Sequence, residues 1–348
     1  MGFFNRFSLS RDMGIDLGTA NTLIYVSGKG IVLQKPSVVA INEDDKTPLA
    51  VGESAKKMLG RTPKNVSVVR PLRNGVVADV EATEQMLRVF IREVNDGKKH
   101  LFAPRIVIAV PSGVTGLERR AVIEAATQAG AGDVKLLDQS IAAAIGAGLP
   151  VVDPTGNMIA DIGGGTTEVA VLSLEGNVLS ESLRVAGDDL NEAIIQYMKK
   201  VHNLVIGDQT AEEIKINLGS AYPIDGEEQS IMEVRGIHLL SGLPRTVTIK
   251  AAEIRESMLE PLSDIITAIK RTLELTPPEL AADIIDRGIM LTGGGALMRG
   301  LDALISHETG IVTHVATDPL SCVVLGTGRV LENMEQFERV FTRQSQNP

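Results

Sequence analysis

The stretch "DIGGGTTEVAVLSL", residues 161–174, joins two apolar runs through three glycines and two threonines. The glycines predict a tight turn and the flanking runs predict two buried strands, so a hairpin is expected here. An earlier stretch, "GIDLGTANTLIYV" at 14–26, repeats the pattern, with Asp16 aligned to Asp161. The alternative is two unrelated turns of a common type. Because the flanks match as well as the turns, we interpret the hairpins as an internal duplication of one α/β unit.

Composition excludes several classes of protein. A length of 348 residues suggests two or three domain-sized units. The net charge of −10 argues against a nucleic-acid partner, which would require a basic surface. Cys322 is the only cysteine, so no internal disulfide can form, and this fits a reducing compartment. No apolar run is long enough to span a membrane and no signal-peptide core is present, so we expect a cytoplasmic protein.

The rest of the chain alternates strand and helix patterns. Helical periodicity covers 82–95 and 116–129, and "GIVLQKPSVVAIN" at 30–42 is expected to form one strand. An amphipathic pattern predicts a single long helix over 251–275. The next helix is expected to start with Thr276 as its N-cap and Glu279 completing a capping box.

The glycine turns have the chemistry of a phosphate site. Glycine lets successive backbone N–H groups point at one anion, and Thr19, Asn21, Thr166 and Thr167 add side-chain donors. Two carboxylates beside a phosphate chain, Asp16 and Asp161, imply a divalent cation between them. A third turn, "TGGGALMRG" at 292–300, precedes a predicted helix and suits an anion or a nucleoside. Together the turns predict two domains that hold a nucleotide in the cleft between them.

The chain resembles the MreB family of bacterial actins, within the actin/hexokinase/heat-shock-chaperone ATPase superfamily. The resemblance covers nearly the whole chain and rests on the two hairpins and on four further motifs: "VPSGVTGLERRAV" (110–122), "IAAAIGAGLP" (141–150), "TPPELAADI" (276–284) and "IMLTGGGALMRGLD" (289–302). It implies an α/β, actin-like fold of two duplicated, ribonuclease H-like domains around an interdomain nucleotide cleft, with two smaller inserted subdomains. The implied ranges are 1–36, 76–147 and 320–348 for the first large subdomain, 37–75 for its insertion, 148–184 and 249–319 for the second, and 185–248 for its insertion.

The resemblance also implies a role for particular residues. ATP or ADP would be bound by the two phosphate loops, the ribose or adenine segment and the adenosine loop: Gly18, Thr19, Ala20, Asn21; Gly163, Gly164, Gly165; Glu212, Glu213, Ile214, Lys215; and Gly293, Gly294, Gly295, Ala296. Mg²⁺ would be held by Asp16 and Asp161 through water, and catalysis would use Gln139, Thr166 and Asp161. For Glu212 and Lys215, whose spacing places both on one helix face, a solvated salt bridge is the alternative.

One departure from the family concerns catalysis. The family usually has Glu-Pro before the "AAAIGAGLP" helix, whereas this chain has Gln139 and Ser140. A glutamine cannot take a proton as a carboxylate does, but its amide can still orient a water, as the glutamine of eukaryotic actins does at this place. We therefore expect hydrolysis to persist, with Asp138 as the alternative water-positioning residue.

The resemblance implies a cytoskeletal ATPase that polymerises into membrane-associated, actin-like filaments and organises cell-wall elongation and rod shape. The expected partners are other copies of the chain in paired protofilaments, inner-membrane lipid, and elongation proteins of the MreC, MreD and RodZ types. The alternatives are a sugar kinase or a chaperone-type ATPase of the same superfamily. The expected location is the cytoplasm, peripheral at the inner face of the cytoplasmic membrane.

Scarce aromatic residues at the amino end suggest how the membrane would be reached. Phe3, Phe4 and Phe7 share one arc of a helical wheel, and Arg6 and Arg11 could meet anionic lipid. Packing on the protein's own core is the alternative. By resemblance, Leu101 and Phe102 form a second insertion point.

Overall fold

A computed structural model describes residues 11–95, 103–338 and 340–341. Its strands are β1 Met13–Leu17, β2 Asn21–Val26, β3 Gly30–Pro36, β4 Val39–Asn42, β5 Pro48–Val51, β6 Val66–Val69, β7 Leu72–Arg73, β8 Val76–Val77, β9 Arg105–Val110, β10 Asp133–Asp138, β11 Asn157–Ile162, β12 Thr167–Ser173, β13 Gly176–Leu183, β14 Leu204–Val205, β15 Ile231–His238, β16 Pro244–Lys250, β17 Ile289–Thr292 and β18 Thr313–Val315. Its helices are α1 Glu53–Lys56, α2 Val80–Val94, α3 Gly116–Gln128, α4 Gln139–Ala147, α5 Gly187–Val201, α6 Asp208–Leu218, α7 Ala251–Ser257, α8 Leu259–Glu274, α9 Pro278–Arg287, α10 Leu301–Thr309 and α11 Cys322–Glu332, with 3-10 turns at Glu227–Gln229 and Gly294–Leu297.

Two five-stranded sheets share one topology. The first has the order β3-β2-β1-β9-β10 and the second the order β13-β12-β11-β17-β18. In each, the first two pairings are antiparallel and the last two are parallel. The registers also agree: Asp16 lies opposite Leu23, and Asp161 lies opposite Glu168 at the corresponding position. The internal duplication predicted from the two glycine turns is confirmed strand by strand.

Smaller sheets extend from the two large ones. Strands β5-β4-β6 form one three-stranded sheet, β14-β15-β16 form another, and β7 and β8 pair as a short hairpin. Separate apolar cores lie under the first and second large sheets. The residue boundaries given above for the four subdomains stay a prediction.

The two halves are joined by a crossing of helices α4 and α11. Helix α4 follows β10 of the first sheet but packs against β11 and β12 of the second, whereas α11 follows the second sheet and packs against β1, β2 and β9. A Cβ on Gly146 would collide with the carbonyl oxygen of Cys322, and a Cβ on Gly326 with that of Ala142. The helices therefore touch backbone to backbone, and glycine permits this approach at a cost of about 1 kcal/mol in helix propensity.

A third apolar cluster surrounds this crossing. It includes Val107 from the first sheet, Ile159 and Leu172 from the second, and the buried faces of α4 and α11. Because residues of both sheets bury their side chains in one cluster, the crossing is the floor of the cleft between the halves.

Two predicted elements are each divided in the structure. The strand expected over 30–42 ends at Pro36, and β4 pairs instead in the small sheet, because Ser37 turns the chain by donating its N–H to Ala20 O at 3.0 Å. The helix expected over 251–275 is divided at Met258 into α7 and α8. Pro261 accounts for this break, since it has no N–H for the carbonyl four residues earlier and its ring crowds that carbonyl.

The capping box predicted at Thr276 is wrong. Helix α9 starts after Pro277, with no side-chain cap. The Thr276 hydroxyl instead donates to Thr272 O, 2.7 Å away in the preceding helix. Because the Thr276 hydroxyl is hydrogen-bonded to α8, it does not cap α9.

The helix crossing predicts an unequal response to two glycine substitutions. Gly326→Ala should lower the free energy of unfolding by about 3 kcal/mol or more, because the added methyl meets the α4 backbone. Gly116→Ala, at the first position of α3 with open space around it, should change it by about 1 kcal/mol or less. Urea unfolding measures both, and equal losses would contradict the backbone contact.

Candidate functional site

A cavity of about 750 Å³ lies above the helix crossing and between the two large sheets. Most of the predicted site residues line it: Asp16, Gly18, Thr19, Ala20, Asn21, Gln139, Asp161, Gly163, Gly164, Gly165, Thr166, Glu212, Glu213, Lys215, Gly293, Gly294 and Gly295. Since parallel strands β1 and β9, and β11 and β17, end at the same edge of their sheets, the topology itself collects these turns in one place.

The two duplicated turns face each other across the cavity. Each is closed by the same backbone bond, from Gly18 N to Asn21 O at 3.1 Å and from Gly163 N to Thr166 O at 2.8 Å. A Cβ on Gly164 would lie 2.8 Å from the Cβ of Ala20. The turns can therefore approach this closely only because glycine occupies the second one.

Two carboxylates lie below the turns. Burial, reinforced by the charge of Asp161, raises the pKa of Asp16 to about 8. Burial also raises the pKa of Asp161, although Gln139 and Thr292 oppose this by donating to its carboxylate at 2.7 and 3.1 Å. Two buried acids this close favour a protonated form or a bound cation.

The geometry distinguishes Gln139 from Asp138. Gln139 is the first residue of α4, lines the cavity and donates its Nε2 to Asp161. Asp138 does not line the cavity; its carboxylate accepts from Asn177 Nδ2 at 3.4 Å and lies 3.7 Å from Arg119. Of the two candidates for positioning a water, Gln139 is therefore the one whose side chain lies at the cavity.

Glu212 and Lys215 form an ion pair on the wall of the cavity. Lys215 Nζ donates to Glu212 and to the carbonyl of Gly187, both at 2.8 Å, and Asn191 donates to Glu212 at 2.7 Å. Burial would raise the pKa of Glu212, but Lys215 and Asn191 outweigh it and hold the pKa below its usual range. The salt bridge weighed as the alternative is therefore present, and both of its residues line the cavity.

Three predicted residues do not present their side chains to the cavity. Thr167 is buried and its hydroxyl donates to Val185 O at 2.8 Å, so the prediction that it adds a donor to the site is wrong. Ile214 and Ala296 are buried in the apolar core of the second half. Ile214 follows Glu212 by two positions on α6, which turns it to the opposite face of the helix. The predicted membrane residues Phe3, Phe4, Phe7, Leu101 and Phe102 lie outside the described residues.

The prediction from sequence missed a group of residues that bridge the mouth of the cavity. Arg70 NH1 lies 3.2 Å from Asp188, and Gln209 Nε2 donates to the carbonyl of Lys56 at 2.9 Å. All four line the cavity. Gly187 and Asp188 begin helix α5. A Gly-Asp pair between a strand and a helix could have been used to predict a helix whose N-terminus faces an anion.

The donor set fits a magnesium ion held mainly by phosphate and water. Within the described residues, no group of three or more His, Cys, Asp and Glu side chains could hold a metal by itself. Mg²⁺ at nucleotide sites needs one or two carboxylates and takes its remaining ligands from phosphate and water. Asp16 and Asp161, whose paired burial is costly without a cation, meet that need.

The sequence matches the family described as MreB/Mbl protein over residues 10–339. The chain belongs to the MreB/Mbl family. It is 53% identical over 334 residues to the cell shape-determining protein MreB of Escherichia coli (strain K12), covering 95% of this chain and 96% of that protein. It is 48% identical over 331 residues to the cell shape-determining protein Mbl of Bacillus subtilis (strain 168), covering 95% and 98%.

A solved structure extends the likeness to the fold. The crystal structure of MreB5 of Spiroplasma citri bound to ADP superposes with a TM-score of 0.89 at 37% identity, covering 95% of this chain and 98% of that one. The predicted actin-like fold is confirmed. None of the helices in the described part of the chain is both long and apolar enough to cross a membrane.

From the raised pKa of Asp16 we predict how the stability of the protein depends on pH. The folded state keeps a proton up to about pH 8 that the unfolded state releases near 3.8, so stability should fall as the pH rises between these values. Asp16→Asn removes this contribution. Urea unfolding of the nucleotide-free protein at pH 5, 6.5 and 8 should therefore give a steeper decline for the parent than for the variant, and parallel declines would contradict it.

Proposed function

We propose that the protein is a cytoskeletal ATPase that binds Mg-ATP in the interdomain cavity and polymerises into actin-like filaments. The observation that carries the proposal is the pair of facing, duplicated glycine turns above Asp16 and Asp161 in one cavity. The ADP bound to the related Spiroplasma citri protein supports a nucleotide as the ligand. The names of the Escherichia coli and Bacillus subtilis relatives support a role in determining cell shape.

The cavity suits a nucleotide along its whole length. The turns at 18–21 and 163–166 would hold the phosphates through backbone N–H groups and threonine hydroxyls. Glu212 and Lys215 would contact the ribose or adenine, and Gly293–Gly295 would pass under the adenosine. The Mg²⁺, held by Asp16 and Asp161 through water, would neutralise charge on the phosphates.

Gln139 would orient the attacking water. Its Nε2 donates a hydrogen bond to Asp161, and this bond fixes the plane of the amide. The amide oxygen would then accept a hydrogen bond from a water beside the terminal phosphate. Because an amide cannot take the proton, its contribution is positioning rather than general-base catalysis.

The state of the nucleotide would set the angle between the halves, since each half contributes one phosphate turn. A closed angle would favour assembly into paired protofilaments, and loss of the terminal phosphate would relax it. We further propose that the filaments lie against the inner face of the cytoplasmic membrane and act with elongation proteins of the MreC, MreD and RodZ types.

Sedimentation with a phosphate-release assay tests the core of the proposal. The parent should pellet and release phosphate with Mg-ATP but not without nucleotide. Asp161→Ala should weaken Mg-ATP binding or turnover by about tenfold or more, equivalent to about 1.4 kcal/mol. A parent that binds no ATP, or an Asp161→Ala variant that equals the parent, would overturn it.

Gln139 gives a sharper prediction. Gln139→Ala should leave ATP binding and assembly intact while slowing phosphate release, because only the orientation of the water is lost. Gln139→Glu should keep or raise turnover. Calorimetry measures the binding and single-turnover phosphate release measures the chemistry; an Ala variant that hydrolyses at the parent rate would show that Gln139 has no part in the step.

The membrane proposal has its own test. Burial of three phenylalanines contributes up to roughly 5–8 kcal/mol before ordering costs, so one copy would bind weakly and a filament would bind by avidity. Deletion of residues 2–9 should sharply reduce co-sedimentation with anionic liposomes while ATP-dependent filaments still form. Undiminished binding to the liposomes would contradict the proposal.

A further inference from the structure

Glu168 is a fully buried carboxylate that lies outside the cavity. It stands on β12 directly opposite Asp161 and has no exposed surface. It is absent from the cavity lining, so it is not a direct ligand for a nucleotide. A buried acid that the proposed chemistry does not use requires a separate explanation.

The partners of Glu168 come from both halves of the molecule. Ser112 donates to one carboxylate oxygen through its N–H at 3.1 Å and through its hydroxyl at 2.6 Å. Ser182 donates its hydroxyl to the other oxygen. Ser182 belongs to β13 of the second sheet, whereas Ser112 follows β9 of the first sheet. Two of the three hydrogen bonds therefore cross between the halves.

This contact between the halves is additional to the helix crossing, because neither Glu168 nor Ser112 belongs to α4 or to α11. A crossing of two helices leaves rotation about it possible, and a further contact between the halves restricts that rotation. Packing continues beside the hydrogen bonds, since a Cβ on Gly113 would lie 3.1 Å from that of Ser182.

The contact also borders the second phosphate turn. Pro111, the neighbour of Ser112, packs beside Gly75, and a Cβ on Gly75 would lie 2.7 Å from Thr166 Cγ2 and 2.8 Å from Pro111 Cγ. Thr166 precedes Glu168 by two positions. Burial raises the pKa of Glu168, and the three serine bonds oppose that rise. The carboxylate thus holds the loop at 111–113, which does not line the cavity, close to Thr166, which does.

We propose that Glu168 is a positioning residue that fixes the angle between the two halves through Ser112 and thereby places Thr166 at the cavity. The effect on the angle between the halves does not depend on the proposed function, whereas the effect on hydrolysis rests on the proposed ATPase function. Glu168 touches neither the nucleotide nor the reacting water and acts only through the two loops.

Two serine variants form a matched pair for the test. Ser112→Ala and Ser182→Ala each remove one hydroxyl bound to Glu168, but only Ser112 belongs to the other half. Spin labels at Lys64→Cys, exposed in the turn before β6 of one small sheet, and at Arg235→Cys, exposed on β15 of the other, report the angle as a distance. Cys322 is buried and burial raises the pKa of its thiol to about 12, so it does not compete for the label.

The distance is measured by pulsed spin resonance in the nucleotide-free full chain at a concentration below assembly. Ser112→Ala should broaden or shift the distribution, whereas Ser182→Ala should leave it as in the parent. Glu168→Met, which has no oxygen to accept from Ser112, should act like Ser112→Ala, and the double variant should add little, because both changes remove the same interaction. Parent-like distributions for Ser112→Ala and Glu168→Met, or equal changes for the two serines, would overturn the proposal.

Kinetics distinguish failure of this proposal from failure of the ATPase function. With Mg-ATP, Ser112→Ala should lower kcat by about threefold or more and leave KM within about twofold, while Ser182→Ala should change neither. If the parent has no ATPase activity, the proposed ATPase function fails and the kinetic comparison cannot be made. The proposal about the angle is still tested, because the distance measurement needs no nucleotide. If circular dichroism shows that Ser112→Ala does not fold, Glu168→Met, whose side chain has a similar length, decides the outcome.

Discussion

The contact between the backbones of α4 and α11 is the constraint on which the site depends. Each helix starts from one sheet and packs on the other, and Gly146 and Gly326 let the two meet without intervening side chains. The depth of that contact sets the position of α4 along its own axis. Because Gln139 is the first residue of α4, the same contact sets its distance from Asp161. A packing feature near the floor of the cleft is thereby linked to the geometry of the proposed reaction.

Charge is the second constraint. Asp16 and Asp161 line the cavity and Glu168 lies outside it, and burial raises the pKa of each of these three carboxyl groups. Glu168 is stabilised within the protein by serine donors, whereas Asp16 and Asp161 lie at the cavity, where a ligand can reach them. A bound divalent cation would lower the free energy of this pair, and so binding and folding would be coupled. The same duplication that gives two glycine turns also gives the two acids for which a cation is proposed.

Much of the fold could be predicted because its determinants are local. The two hairpins at 14–26 and 161–174 share strand, turn and strand in the same spacing, and the paired registers of Asp16 and Asp161 follow from that spacing. The break before α8 was also predictable, since Pro261 is visible in the sequence and cannot continue the hydrogen bonding of a helix. The cap at Thr276 was not, because the competing acceptor lies in another helix.

The cross-cleft pairs lay beyond prediction for a different reason. The two residues of each pair, Arg70 with Asp188 and Ser112 with Glu168, are distant in sequence. The local sequence around one residue does not indicate which residue it will contact. Their pairing depends on the angle at which the two halves meet, and that angle depends on the crossing of α4 and α11. Most of the cavity-lining residues named for each half could therefore be predicted from motifs, whereas the contacts between halves required the assembled structure.

The departure at Gln139 and Ser140 is consistent with its surroundings. A glutamate at 139 would place a third carboxylate within hydrogen-bond distance of Asp161, beside Asp16, and all three would compete for one cation. The amide of Gln139 instead donates to Asp161 and lowers the charge of the site. Ser140, free of the constraint that proline imposes, donates its hydroxyl to Asn177 at 3.2 Å, and Asn177 in turn donates to Asp138. Ser140 thus connects through Asn177 to Asp138, which lies outside the cavity, whereas Gln139 places a neutral side chain at the cavity, so the two residues affect neighbouring parts of one site.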